Sequence, residues 1–120
     1  MTKRIMLVDD EPDVLMVISH GLKKRGYEVF NCRDGRQALI MGPDIMPDLI
    51  ILDLGLPFIN GNEVARIFKA DQKMRHIPVL LISSVTEGLG DKSAACGADG
   101  WLPKPFKFTT LTDMMEKYLK

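Results

Sequence analysis

Absent from the sequence is any apolar run long enough to cross a membrane, which takes about 20 residues, or to serve as the hydrophobic segment of a secretory signal. Met1-Thr2-Lys3-Arg4 leads straight into a short apolar stretch instead, so a soluble protein is expected. An excess of either charge is absent too: 16 basic and 16 acidic residues cancel to a formal net charge of zero. That removes the electrostatic case for nucleic acid or an anionic membrane as a direct partner, because such binding rests on a surplus of Lys and Arg. Cysteine is scarce. Cys32 and Cys96 match no metal-ligand or redox spacing and are expected to be reduced, partly buried and inert, as suits a cytosolic setting. Internal repeats, low-complexity tracts and linkers are missing as well, so residues 1–120 are expected to form one domain around a single core.

What is present is an alternation of short apolar runs and helical patterns. Leu49-Ile50-Ile51-Leu52, bounded by Pro47-Asp48 and by Gly55 and Pro57, reads as a strand buried on both faces of a parallel sheet, with Asp53 at its carboxyl edge. Ile5-Met6-Leu7-Val8 is a second such run and exits into Asp9, Asp10 and Glu11. Pro12 suits a first helical turn, and Val14, Leu15, Ile18 and Leu22 recur at helical spacing through Lys23, with Gly26 as a stop. Glu28 to Cys32 alternates like a more exposed strand, and Asp34-Gly35 turns the chain into a short helix around Gln37 to Met41 that Gly42-Pro43 is expected to end.

After Asp53, Gly61-Asn62 opens a helix with Val64, Ile67 and Phe68 facing inward. Pro78 to Ile82 is a fourth strand, its proline placed first where a missing N–H matters least, and it ends in Ser83-Ser84. Gly88 and Gly90 each lower helix propensity by roughly 1 kcal/mol, so a short helix is expected only from about Asp91, with a mobile entrance. Gly100-Trp101-Leu102 is a brief fifth strand, and Leu111, Met114, Met115 and Tyr118 mark an amphipathic last helix expected to be complete at Lys120.

Five strands alternating with five helices imply right-handed crossovers and a parallel sheet covered on both faces. The three most apolar strands, the first, third and fourth, should be central. That predicts an α/β flavodoxin-like three-layer sandwich, its five-stranded parallel sheet in the order 2-1-3-4-5 with five helices. Such sheets bind ligands at the carboxyl ends of their strands, where Asp9, Asp10, Asp53, Ser83 and Lys104 should surround one small volume, since neighbouring strands lie ~4.8 Å apart. Three carboxylates so close repel one another, and a hard divalent cation relieves the repulsion. Magnesium suits the oxygen-only set, taking one or two carboxylates plus waters and leaving positions open for phosphate oxygens; manganese is a possible substitute. A metal beside a carboxylate, an ammonium and a hydroxyl is equipment for phosphoryl transfer onto the carboxylate. Asp53 would be the nucleophile, the cation and Lys104 would neutralise charge on the equatorial oxygens, and Ser83 would donate a hydrogen bond to one of them. Taken singly, Asp9 or Asp10 reads as a helix cap, Ser83 as a strand-end hydroxyl and Lys104 as a surface lysine.

Over essentially its whole length the chain resembles the receiver domain of two-component response regulators, of the chemotaxis-regulator kind. The resemblance is carried by Asp9-Asp10 after Ile5 to Val8, Asp53 followed by Pro57 and Gly61, Ser83 after the fourth strand, Gly97-Ala98-Asp99 before the fifth, and Lys104-Pro105-Phe106. It implies that Asp53 is phosphorylated by a histidine kinase or histidine phosphotransfer protein, and that the domain catalyses only its own phosphorylation and dephosphorylation rather than acting as an enzyme. By the same resemblance Asp10 and Asp53 bind Mg2+ directly, Asp9 binds it through water, and the Gly55 backbone carbonyl is a further ligand. A cis peptide between Lys104 and Pro105 is implied as well. So are a cytoplasmic location, a monomer or a phosphorylation-dependent dimer, and a downstream effector protein or domain that reads the face of helix 4, strand 5 and helix 5. Trp101 stands where the family usually carries an exchangeable tyrosine or phenylalanine, so it would swing inward as Ser83 moves. The alternative is a static, half-buried tryptophan packed on the sheet edge.

Some positions depart from the family's pattern. Gly55, two residues after Asp53, has no side chain, and Val85, two after Ser83, is apolar; neither can orient a water for attack on the phosphoryl group, which predicts a long-lived phosphoryl state. Leu56 stands where methionine is common, a nearly volume-conserving exchange without expected consequence. Phosphatases resembling haloacid dehalogenases need a second aspartate where Gly55 sits, so turnover of a small phosphoester is not expected. A pseudo-receiver, an interaction module that works without phosphorylation, should lack an acid, the lysine or the acceptor, and this chain has them all. The last helix does not carry the charge pattern of receivers that dimerise ahead of winged-helix DNA-binding domains.

Overall fold

The computed structural model describes residues 2–119, so the expectations placed on Met1 and on a helix end at Lys120 lie outside the described residues. Ten elements alternate along the described residues. They are β1 (Arg4–Val8), α1 (Pro12–Lys24), β2 (Glu28–Cys32), α2 (Gly35–Ile45), β3 (Leu49–Asp53), α3 (Gly61–Ala70), β4 (Val79–Ser83), α4 (Leu89–Cys96), β5 (Gly100–Pro103) and α5 (Phe108–Tyr118). The strands form one parallel sheet in the order β2-β1-β3-β4-β5.

Because strand side chains alternate between faces, each apolar run feeds two cores. Met6, Val8, Ile50, Leu52, Val79 and Leu81 pack with Ala38 of α2, Val64, Ala65 and Phe68 of α3, and Leu89 and Cys96 of α4. Ile5, Leu7, Leu49, Ile51, Leu80 and Ile82 pack on the other face with Leu15, Ile18 and Leu22 of α1 and Leu111 and Met115 of α5. The central strands β1, β3 and β4 are therefore apolar at consecutive positions, while the edge strand β2 is only partly buried.

Four local expectations are corrected by tertiary packing. Helix α2 does not stop at Gly42-Pro43 but runs through Pro43 to Ile45, and Met46 closes it in the left-handed region (φ 49°) with its N–H on the Gly42 carbonyl at 2.8 Å. Gly42 is there for contact rather than termination: a Cβ would lie 2.9 Å from Phe68 Cζ, so its absence lets α2 close on α3. Ile67 does not face inward and is 42% exposed, because the buried stripe of α3 is Gly61, Val64, Ala65 and Phe68, and position 67 lies about 100° round the helix from its centre. Helix α4 begins at Leu89 rather than Asp91, since burial of Leu89 under the sheet outweighs the low propensity of its two glycines. Cys32 and Cys96 are fully rather than partly buried, and burial together with the nearby Asp34 carboxylate pushes the Cys32 thiol up to about 12, so it stays protonated.

Candidate functional site

The register brings the polar strand ends together. Val8 pairs with Leu52, Asp53 with Ile82, and Ser83 with Pro103, so Asp9, Asp53, Ser83 and Lys104 leave four adjacent strands at nearly the same level. Backbone hydrogen bonds lock those exits: Leu54 N–H donates to Ile82 O at 2.9 Å and Lys104 N–H to Ser83 O at 2.7 Å. Behind Asp53 the chain folds tightly. The Gly61 N–H donates to Leu54 O at 2.8 Å, and a Cβ on Gly61 would collide with the Asp53 carbonyl, so only glycine allows α3 to start there.

Asp53 is 6% exposed and Asp9 is fully buried, whereas Asp10 is exposed. Carboxylate oxygens of Asp9, Asp10 and Asp53 lie within 4.8 Å of one another. Among the described residues, one lysine answers them. The Lys104 ammonium is 2.9 Å from Asp9 Oδ2, 3.4 Å from Glu11 Oε1 and 3.6 Å from Asp53 Oδ1. The other oxygen of Asp9 accepts the Glu11 N–H at 2.9 Å, so Asp9 is engaged at both ends by the protein. Asp53 and the exposed Asp10 are left as the carboxylates best placed to accept a cation directly, and this all-oxygen donor set fits a hard divalent ion.

Electrostatics match this geometry. Burial and then the neighbouring Asp9 carboxylate push the Asp53 carboxyl above its usual range; Lys104 and the Gly55 backbone amide pull the other way, and Asp10 adds to the rise. Burial alone would lower the Lys104 ammonium, but the hydrogen bond it donates to Asp9, the charges of Asp53 and Asp9, and the hydrogen bond it donates to Glu11 outweigh that and hold its pKa up. The pocket thus carries more negative charge than its one lysine neutralises.

Ser83 is buried, and its hydroxyl is closed on the backbone, donating to Val85 O at 3.0 Å and accepting the Val85 N–H at 3.0 Å. Gly55 is exposed, and a Cβ there would meet nothing within 4 Å. Trp101 is 44% exposed, with its indole beside Gly90 in the first turn of α4. The Lys104–Pro105 peptide bond is cis. Two features of the rim were not assigned a role from sequence. One is Glu11 on Lys104, whose only signal is an acid next to the Asp9-Asp10 pair. The other is the Arg36 guanidinium 3.8 Å over the exposed Phe58 ring, which joins α2 to the loop after β3 and has no local signature.

A doubly wound sheet with a buried aspartate at the end of β3, an acidic pair at the end of β1 and a lysine after β5 defines a class of flavodoxin-like domains built around an anionic pocket. The chain belongs to the response regulator receiver domain family, whose model matches residues 5–116. It is 30% identical over 120 residues to the polar-differentiation response regulator DivK of Brucella ovis, covering 99% of this chain and 98% of that one. The chemotaxis response regulator CheY4 of Vibrio cholerae has the same fold with a TM-score of 0.92 at 31% identity, covering 99% of this chain and 100% of that one. The response regulator TrrA of Thermotoga maritima, solved in complex with Mg2+ and BeF, has a TM-score of 0.89 at 33% identity, covering 98% and 100%. The fold is the five-stranded 2-1-3-4-5 sandwich expected from the apolar runs, and the chain is a signalling module, the receiver domain of a response regulator. Among the described residues no helix is long and apolar enough to cross a membrane.

Proposed function

We propose that Asp53 is the phosphoacceptor and takes a phosphoryl group from the phosphohistidine of a histidine kinase or phosphotransfer protein. The observation that carries this reading is the surplus of carboxylate charge around buried Asp53, which Lys104 is the one ammonium among the described residues to face. Asp53 Oδ bonds to phosphorus as the P–N bond of the donor breaks, and the departing imidazole keeps the electron pair. Asp10, Asp53 and the Gly55 carbonyl would hold Mg2+, or Mn2+ in its place, with Asp9 acting through water. The bound cation supplies charge neutralisation for the nucleophile and the incoming phosphoryl oxygens. Support from a relative is that TrrA was solved with Mg2+ and BeF.

This chain's own residues do the rest. Lys104 moves toward the phosphoryl oxygens, and Ser83 exchanges the Val85 carbonyl for one of them. That shift draws Trp101 inward from beside Gly90 and remodels the face of α4, β5 and α5, which a downstream effector protein or domain reads. The reaction is confined to the domain itself, the setting is the cytoplasm, and the domain is a monomer or dimerises on phosphorylation. Intact mass after exposure to phosphoramidate with Mg2+ tests the reading. One phosphoryl mass is expected on the wild type, and none on Asp53→Ala or with a chelator. No adduct under conditions that label another receiver would replace this reading with an interaction module that works unmodified.

A further inference from the structure

The Lys104 ammonium has three N–H donors and three carboxylates around it, and the distances rank them. Asp9 at 2.9 Å and Glu11 at 3.4 Å accept hydrogen bonds, whereas Asp53 at 3.6 Å is only an ion-pair neighbour. Glu11 grips the Asp9–Lys104 pair from both sides. Its N–H holds Asp9 Oδ1 at 2.9 Å, while its side chain reaches the ammonium bonded to Asp9 Oδ2. That side chain is 61% exposed and caps no helix hydrogen bond, so charge on Lys104 is what keeps it there. Glu11 and Lys104 stand together in the wall of an open groove of about 510 Å3 shared with Val14, Val17, Pro105 and Phe106.

We propose that Glu11 is a positioning residue that holds Lys104 on the Asp9 side of the pocket, short of Asp53, and gives it up when Asp53 is phosphorylated. The proposal rests on Asp53 being the phosphoacceptor. For Lys104 to meet a phosphoryl oxygen on Asp53 it must leave the position it shares with Glu11, and the exposed Glu11 carboxylate is the partner most easily lost, because water replaces it at once. Asp9 is different: it is fully buried and tied to backbone, so it moves with difficulty. Glu11 therefore slows phosphoryl uptake by keeping the ammonium engaged, and it restores the resting arrangement after the phosphoryl group leaves.

The test separates a latch on Lys104 from a mere negative charge near the donor. Phosphorylation rates with phosphoramidate and Mg2+ are measured by intact mass for wild type, Glu11→Gln and Glu11→Asp, each also in a Lys104→Met background. Exchange of the Lys104 ammonium protons with water is followed by NMR in the unphosphorylated proteins. Glu11→Gln removes the charge, and Glu11→Asp keeps the charge but withdraws it by one methylene. Both are expected to raise the rate roughly two- to fivefold, the range of a partly exposed ion pair, and to speed ammonium exchange, with no rate effect once Lys104 is methionine. The proposal is overturned if Glu11→Asp behaves as wild type, if the gain persists without Lys104, or if ammonium exchange is unchanged. Absence of an adduct on the wild type would instead remove the Asp53 reading on which the proposal stands.

Discussion

Two lysine–aspartate pairs sit at opposite ends of the same sheet. At the amino-terminal edge, Lys69 lies 2.7 Å from Asp99 and also donates to the carbonyls of Ile77 at 2.8 Å and Arg75 at 3.2 Å. Asp99 in turn accepts the Val79 N–H at 2.8 Å, and its backbone carbonyl takes the Tyr118 hydroxyl at 2.8 Å. One cation meets one anion there, and the other polar groups drawn in are backbone and a hydroxyl. At the carboxyl edge, one lysine faces Asp9, Glu11 and Asp53, with Asp10 close by. The first pair is satisfied and joins α3, β4, β5 and α5. The second is left short of positive charge, and that shortage is what fits it to a divalent cation, which the proposed phosphorylation of Asp53 would need. Burial of charge by itself says little about function; the balance of charges does.

Breaking the satisfied pair should have the largest effect on stability. Lys69→Met leaves Asp99 with the Val79 N–H alone and takes the donor from two carbonyls, and is expected to lower the unfolding free energy by about 2 kcal/mol in denaturant titration, while Asp53 phosphorylation persists. Loss of phosphorylation with an unaltered fold would show that the two ends are coupled. Supplying the missing positive charge comes next: Mg2+ at ten times its dissociation constant should stabilise the wild type by about 1.4 kcal/mol, and Asp53→Ala should lose most of that gain.

Removing the surplus charge instead of neutralising it is a third route. Asp53→Asn is expected to stabilise the metal-free domain at pH 7, because the charge removed is one that burial and the Asp9 carboxylate disfavour. The folded pKa of Asp53 is raised, so its contribution is favourable below the unfolded value and is lost as pH rises through the folded one. The advantage of Asp53→Asn should therefore grow with pH from about 4 upward and vanish below it. Lys104 is also raised, so its share of stability is present at neutral pH and disappears as pH climbs past its folded value in the alkaline range. The smallest expected effect concerns lifetime. Gly55→Asn fits the open space at that position and should shorten the phosphoryl half-life by about threefold or more by orienting water, with stability unchanged. A wild-type half-life of seconds would contradict the expectation that a bare Gly55 and an apolar Val85 leave the phosphoryl group long-lived.

Much of this was legible in the residues. Ile5 to Val8, Leu49 to Leu52 and Val79 to Ile82 are apolar at consecutive positions because both of their faces are covered, and that unbroken apolar character identified the central strands. Asp9, Asp53, Ser83 and Lys104 could be grouped because each ends or directly follows a strand of one parallel sheet, so strand order alone fixes their neighbours. Where the reading went astray, packing from a distant element had overruled a local signal. Gly42-Pro43 looks like a helix stop until Phe68 of α3 closes against it, and Ile67 looks like core until Val64, Ala65 and Phe68 have taken the inward stripe. The glycines before α4 argue for a late start, but buried Leu89 brings the helix in early.

The sequence by itself determined the topology and the inventory of the pocket, because apolar periodicity and strand-end positions are local properties carried by consecutive residues. Tertiary structure alone decided how the charges are shared. Lys104 and Glu11 are separated by 93 residues, and nothing near either one predicts that the ammonium settles by Asp9 and Glu11 at 2.9 and 3.4 Å, with Asp53 at 3.6 Å. Nor does the local sequence show that Ser83 rests on the Val85 carbonyl or that Lys69 and Asp99 balance each other at the far edge. Coulomb energy and desolvation depend on distances of a few ångströms between side chains far apart in the chain, and those distances exist only once the sheet has closed.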